Sequence, residues 1–574
     1  MVHPLMRTPP LRRRTLLRTA GAGALAFAGG GLLAACGERS GGGGEAEDVQ
    51  QFEHLVPRYV AWNGVQLPEA DLLPGATNEH GFSSPPGLIR YPQNRVRAVA
   101  EPFGNGNTYT AMTPLWSPPP DYPNDYFRAI EERTGTKLDF SPRDGIEYQD
   151  ILTAVLGAQD HPHLTMIPGW NVNFIPRIAD AVENLFADLT PILAGDVAER
   201  WPLLANLPTP AWLECIWNGK LKCLPQVEAN PFGNPLFARK DILDELGLPY
   251  PTNAEELLEI GRELTSPRDN RWAFGNMDVI VNPIFRVPYQ DWRRESDGSL
   301  VNSIETEELR ASLEFQVQLY QEELVHPDNA ASAEADMKTL FRNGQLIFRT
   351  DGMGDWSEAL GSGVLDDNPN YNQQPAPAFA HDGGTPQVNG ADPAWAFTFL
   401  HRDLSREQIE EILDVANWLA APFGTEEYEL HQYGVEGVHF ERAADGQPEL
   451  NDQGNAEAGQ PVPTYYFASG RPAEPIAPGG DWPGYVESRI EWNNQHIQYL
   501  VPGIFQGLKR IEPANLQQAN QVLDDKLQDV RRGRTPLSEL DQIMADWRRE
   551  GGDEGREFYQ EALAARDEAQ KGGA

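Results

Sequence analysis

From about Arg95 the sequence alternates short apolar runs with amphipathic stretches, and this alternation most restricts the fold. The run "RVRAVA" predicts a strand and "DYFRAIEERTG" a helix stopped by Gly135. "TKLDFSP" follows as a strand, then "YQDILTAVLGA" as a helix with Ile151, Leu152, Val155 and Leu156 apolar, "HLTMIPG" as a strand and "NFIPRIADAVEN" as a helix. Strands alternating with helices of this length predict βαβ units and a parallel sheet.

A second block of the same kind begins near Leu236. "PLFARKDILDELGL" runs from strand to helix, and Thr252 with Glu255 reads as a capping box for the next helix. Leu309, Leu313, Val317, Tyr320 and Leu324 recur on one helical face, and "GQLIFRTDGMGDWSEAL" reads as strand, glycine-rich turn and helix start. "AWAFTFLHRDLS" is a further strand, after which Ser405 and Gln408 cap a helix. Residues 51–90 are rich in proline, glycine and polar side chains and read as an irregular extension laid on the first domain.

The N-terminal stretch "RRRTLLRTAGAGALAFAGGGLLAACGERSGGGG" is basic, then apolar, then meets Cys36. Its apolar part is short of the ~20 residues a spanning helix needs. A basic start, a short apolar run and small residues before a cleavage point describe an export signal over residues 1–35. Arg13-Arg14 fits a twin-arginine motif, and Leu33-Ala34-Ala35-Cys36 resembles a lipobox, with Cys36 taking the lipid. Residues 36–50, glycine-rich and acidic, read as a flexible linker. The chain is then expected outside the cytoplasm, anchored to the membrane through Cys36.

The formal charge of −39 argues against a nucleic-acid partner, which needs a basic surface. Cys215 and Cys223 flank "CIWNGKLKC", a hairpin with Asn218-Gly219 at its turn. A strict two-residue loop pairs 215 with 222, and a bulge would align the cysteines, so a disulfide and two buried thiols both stand open. No GxSxG, HExxH or GxxxxGK[ST] occurs, and the abundant carboxylates are too scattered to single out a catalytic pair.

In this order the segments resemble bacterial extracellular solute-binding proteins of ABC importers, in particular the large lipoprotein group that binds oligosaccharides and uronates. The resemblance rests on "YFRAIEERTGTKLDF", "YQDILTAVLGAQDHPHLTMIPGWN", "NGKLKCLPQ", "LFARKDILDELGLPYPTNAEEL", "LFRNGQLIFRTDGMGDWSEAL", "YGVEGVHFE" and "DWRREGGDEGREFYQEAL", in order across residues 95–565. It implies a two-lobed, periplasmic-binding-protein-like (type II) α/β fold with hinge strands and a central ligand cleft. Lobe 1 is expected over residues 51–235 with 398–500, and lobe 2 over 240–393 with 505–574. Crossings are expected near Leu236–Arg239, Ala394–Leu400 and Val501–Arg510. The implied partners are an oligosaccharide and the importer's permease, with the protein itself a monomer. No cofactor is implied, and "TSPRDNRWAFGNMD" has too few spaced oxygen ligands for the calcium loop of some relatives.

A sugar site needs flat aromatic rings and side chains that both donate and accept hydrogen bonds. Trp170 and Asn171 follow a predicted strand at its C-terminal end, where open α/β sheets place ligands. Asn230 and Phe232 precede the first crossing, and Arg239 lies on it, where a hinge ion pair is the favoured role. Asp351, Asp355 and Trp356 form a glycine-rich loop after a strand, and Trp356 is the leading candidate. Trp395 marks the second crossing, Tyr465 and Tyr466 form an aromatic loop cluster, and Trp492 stands lower. Two other functions fit the same chain: a lipid-anchored polysaccharide-processing enzyme and a peptide-binding lipoprotein.

Overall fold

The computed structural model describes residues 45–574 apart from 116–118, 120, 176, 276, 331–333, 357–363, 444–445, 460–469, 473, 478–483 and 573–574. The export signal, Cys36, Tyr465 and Tyr466 lie outside the described residues.

The strands that build the molecule are β1 (Glu45–Asp48), β2 (Thr108–Leu115), β3 (Lys137–Asp144), β4 (Leu164–Pro168), β5 (Cys223–Val227), β6 (Leu236–Arg239), β7 (Trp272–Phe274), β8 (Leu346–Thr350), β9 (Gln373–Pro375), β10 (Ala394–Leu400) and β11 (Leu508–Ile511). Two sheets dominate, with strand orders β3-β2-β4-β10-β5 and β7-β8-β6-β9. In the first, β2 is parallel to β3 and β4, while β10 is antiparallel to both β4 and β5. In the second, β7 and β8 are parallel and β6 runs antiparallel to β8 and β9.

Local chemistry sets the helices around these sheets. Asn124 caps α1 (Asp125–Thr134) by accepting from the Phe127 N–H at 2.9 Å, and Gly135 ends it at φ 73°, a conformation that favours glycine. Buried Tyr126, Phe127 and Ile130 turn the helix onto the first sheet. Helix α2 (Tyr148–Ala158) buries Leu152 and Leu156 on the same core. On the second sheet, Thr306 caps α3 (Glu307–Gln321), whose Leu309, Leu313 and Leu319 are buried. Ser405 and Gln408 form the expected capping box on α4 (Arg406–Leu419). The second-block box is shifted by one: Asn253, not Thr252, accepts from the backbone, at Glu256.

Several expectations are corrected. "RVRAVA" is extended chain with only an isolated bridge from Val96 to Thr425, and the first strand of the sheet is "TYTAMTPL". The linker expected to be flexible through residue 50 is ordered from Glu45: β1 pairs with β11, and Val49 is fully buried. The extension does not rest on one lobe. Val49 and Val56 join the first core, and Leu73, Ala76 and Phe82 pack on a cluster formed with α5 (Tyr485–His496). Leu88 and Tyr91 then return to Phe423 and Tyr428. Helix α5, expected with lobe 1, packs its Tyr485, Val486 and Ile490 against Phe237 of β6 and Leu346 of β8.

Cys215 and Cys223 are buried free thiols. The hairpin has the strict register, Ile216 opposite Leu221 and Trp217 opposite Lys220, with Asn218 and Gly219 both at positive φ. Lys222 N–H therefore donates to Cys215 O at 3.1 Å, and the two cysteines sit diagonally.

Candidate functional site: the facing edges of the two sheets

Strand direction fixes where a ligand can lie. The C-terminal ends of parallel β2, β3 and β4 share one edge, and antiparallel pairing brings the start of β10 and the end of β5 to that edge. In the second sheet the ends of β7, β8 and β9 share an edge with the start of β6. The connection after β5 enters β6, and the connection after β9 enters β10, so both join these two edges. The crossings are thus residues 228–235 and 376–393, upstream of the strands expected to carry them. Near the expected third crossing, Leu500–Val501 pairs with Val388–Asn389, and Leu508–Ile511 pairs with β1. Open α/β sheets bind ligands at such strand ends.

On the first edge Trp170 follows β4 and is 53 % exposed, the more exposed face of a stacked pair with Trp395 at the start of β10. Their rings are 5.8 Å apart and inclined by 12°. Gly169 permits this, because a Cβ there would lie 3.1 Å from Trp395 O. Ile146, at the end of β3, and Phe174 are exposed large apolar side chains of the same edge. Asn171 is buried, and its Oδ1, like that of Asn173, has no hydrogen-bond partner among the described residues. Such orphan acceptors are rare in folded proteins and mark a place for water or ligand.

Beside the second edge, the crossings, residues 280–291 and Trp492 enclose a cavity of about 410 Å³. Its aromatic walls include Phe232, Tyr289, Phe379 and Trp492, and amides come from Asn234, Asn282, Gln290, Gln387 and Asn389. Phe232 meets Trp492 edge to face at 4.9 Å. Asn282 is already used, accepting from Ser312 at 2.7 Å, whereas Gln290 Oε1 is buried and unpartnered. Behind the wall, Phe82 of the N-terminal extension lies against Gly390, where any Cβ would meet its ring at 2.0 Å. Ala391 of the cavity and Trp395 of the stack are four residues apart, hence within about 14 Å along the chain.

Titratable groups of the crossings are perturbed. Burial pushes the Glu228 carboxyl up to about 7, against the N–H of Asn230 that donates to it at 2.8 Å. Burial also raises Asp392, opposed by Arg510 and Lys509.

The other expected site residues have structural roles. Asn230 closes its own loop, its Nδ2 donating to Phe232 O at 3.0 Å. Arg239 is buried, ion-paired to Asp241 at 2.6 Å, donating to Phe341 O and Arg342 O and lying over the Tyr371 ring, at the end of β6 and past the crossing residues. Asp351 and Asp355 both pair with Arg349, Asp355 at 2.8 Å, with Lys338 within 3.7 Å of each. Burial alone would raise Asp355, but Arg349 outweighs it and lowers its pKa. Trp356, the leading candidate, is corrected: it is 1 % exposed, packed edge-on to Tyr485 at 5.8 Å with the Arg489 guanidinium over its ring. The loop bends the indole inward onto α5 and leaves it no ligand face.

Sequence reasoning missed Tyr289, Gln290 and Asp291. Their only mark in the chain is Pro288, and the backbone at Gln290 and Asp291 takes positive φ, 53° and 64°, which neither residue type announces.

Comparison with known proteins agrees with this layout. The model of the bacterial extracellular solute-binding protein family matches residues 117–422. The polygalacturonan/rhamnogalacturonan-binding protein YtcQ of Bacillus subtilis is 22 % identical over 339 residues, 55 % of this chain and 64 % of YtcQ, just under two thirds of its length. Among solved structures, alginate-binding protein AlgQ2 without calcium ion matches with TM-score 0.60 and 14 % identity, over 80 % of this chain and 98 % of that one. An HMO-binding, ABC-transporter-associated solute-binding protein from Bifidobacterium longum infantis gives 0.55 and 15 %, with the same coverage. The N-glycan transport solute-binding protein NgtS from Streptococcus pneumoniae, in complex with Man5GlcNAc, gives 0.51 and 15 %, again over 80 % and 98 %. The fold is the two-lobed type II α/β architecture. With more than half its length matched by the family model and its sheets joined at a common cleft, this chain belongs to the bacterial extracellular solute-binding proteins.

Proposed function

We propose that the protein is the substrate-binding component of an ABC importer, that it captures an oligosaccharide between its lobes, and that it delivers this to a permease. The observation that carries the reading is the exposed Trp170–Trp395 stack on the same edge from which the crossings lead into an amide- and aromatic-lined cavity. Indole faces suit the apolar faces of sugar rings, and amides both donate to and accept from hydroxyls. The carbohydrates for which YtcQ, AlgQ2 and NgtS are named support the same class. Hinge bending at residues 228–235 and 376–393 brings the edges together on the ligand, and the closed form is what the permease reads.

The same proposal has the protein exported by the twin-arginine route and held at the membrane by lipid on Cys36. No described helix is long and apolar enough to cross a membrane. Binding without turnover separates this reading from a polysaccharide-processing enzyme.

A thermal-shift screen over oligosaccharides and peptides tests the ligand class, because a ligand that binds only the folded state raises Tm. Oligosaccharides are expected to raise it and to be recovered intact. A shift by peptides alone, or sugar cleavage at enzyme-like rates, overturns the proposal. Cys36→Ser is expected to release the exported protein from membranes; a variant still membrane-bound removes the lipid tether.

A further inference from the structure

The cavity between the crossings carries a charge. Among its described lining residues Asp291 is the one charged side chain, and Asn234, Gln290, Gln387 and Asn389 line the same cavity. Asp291 forms no ion pair among the described residues, and Ser303 donates to it at 3.2 Å. Gln290 and Asp291 stand in successive left-handed conformations, which cost energy for residues with a Cβ and persist where surrounding structure imposes them. Gly503 lies close against the side chains of Tyr289 and Gln290, where an added Cβ would come within 3.0 Å of Gln290 Oε1.

Arg510 and Arg531 act on Asp291 from a distance, without an ion pair to it among the described residues. Arg510 lies over Phe505 at 4.6 Å and over Tyr559 at 5.9 Å, and Lys509 lies over Trp217 and Phe397. The surrounding protein raises the Asp291 pKa, while Ser303, Arg510 and Arg531 lower it. At longer range the whole molecule, at −39, repels polyanions.

From this we infer that Asp291 is a specificity-determining residue: it makes the cavity a subsite for a neutral glycosyl residue and excludes a uronate at that position. The inference rests on the oligosaccharide reading above and narrows it. A neutral hexose offers hydroxyls to the carboxylate and the amides, including the unpartnered Gln290 Oε1. A uronate brings a second carboxylate against the first with no cation lining the wall, so discrimination comes from a repulsive element. This separates the chain from YtcQ, named for polygalacturonan and rhamnogalacturonan, and from AlgQ2, named for alginate, despite the likeness in sequence or fold.

The test uses the soluble full-length protein lacking its export signal, at pH 8 so that the carboxylate is ionised. Calorimetric titration compares mannotetraose with tetramannuronate, which differ only at C6, with maltotetraose and tetragalacturonate as a second comparison. Wild type is expected to prefer neutral over uronate ligands by at least tenfold, and the preference is expected to shrink as salt is raised. Asp291→Asn keeps the left-handed backbone, which asparagine tolerates, and is expected to reduce the preference about tenfold. Wild type binding the uronates as well as or better than the neutral sugars overturns the filter and leaves the oligosaccharide reading intact. An unchanged preference in Asp291→Asn, with the variant's Tm matching wild type, overturns the role of Asp291. If no sugar in the set binds, both this inference and the oligosaccharide reading fall.

Discussion

Trp170 presents an indole face to solvent only because Trp395 backs it in a near-parallel stack. Aromatic contacts of this kind are worth ~0.5–1.5 kcal/mol beyond area burial. Trp170→Ala is therefore expected to weaken oligosaccharide binding by roughly 3- to 10-fold without lowering Tm, as titration calorimetry and thermal melts would read. Trp356→Ala is expected to do the reverse, costing ~3–5 kcal/mol of stability in a denaturant titration, because the ring is sealed against Tyr485 and Arg489. Local sequence placed both tryptophans after strands, and Trp170 does stand exposed at the end of β4, stacked on Trp395. Local pattern could not tell these two from Trp356, because burial there depends on α5, more than a hundred residues further along the chain. Asp291 was illegible for a different reason: its placement follows from backbone imposed by distant packing, which no residue type at that position signals.

At the scale of elements, helix α4 is bound to the first sheet through one carboxylate. Glu411, 4 % exposed, accepts from the Asn105 N–H at 2.9 Å, Asn107 Nδ2 at 2.5 Å, the Tyr109 hydroxyl at 2.9 Å and the Thr136 hydroxyl at 2.7 Å. Burial raises its pKa, and these four donors outweigh that and hold it at about 2. A folded value below the unfolded one means stability that is full above about pH 4.5 and lost as pH falls towards 2. The contribution is on the order of 2–3 kcal/mol, so Glu411→Gln is expected to flatten acid unfolding over that range in far-UV circular dichroism. Glu228 has the opposite sign. Its folded pKa of about 7 lies above the ordinary value, so stability at the first crossing falls as pH rises from about 4.5 through 7. Glu228→Gln is expected to raise Tm at pH 8 relative to wild type and not at pH 4. Elements with local signals were legible: α1 with its Gly135 stop, α4 with its capping box, and the Asn218-Gly219 hairpin. "TYTAMTPL" escaped notice because its threonines and proline lack the apolar run of a buried strand, while its neighbours in the sheet supply the burial.

Across the whole molecule, the two sheets are joined by crossings that leave and enter on the strand-end edges, and residues 49–91 pack on the first core and on two smaller clusters. Ligand is expected to lower the radius of gyration in small-angle X-ray scattering through lobe closure. An unchanged value at saturating ligand would rule out hinge closure as the response. The alternation of strands and helices made the α/β class legible and the family resemblance supplied the two lobes, whereas the path of the extension depends on contacts such as Asn78 Nδ2 donating to Ile497 O and Leu500 O, which no local pattern encodes. The pairing of β1 with β11 also orders the making of the protein in time. Asp48 lies opposite Leu508, so the first strand emerges from the ribosome long before its partner exists. β1 can pair only once Leu508–Ile511 has been made, and a chain cut short before Leu508 leaves that strand without a mate.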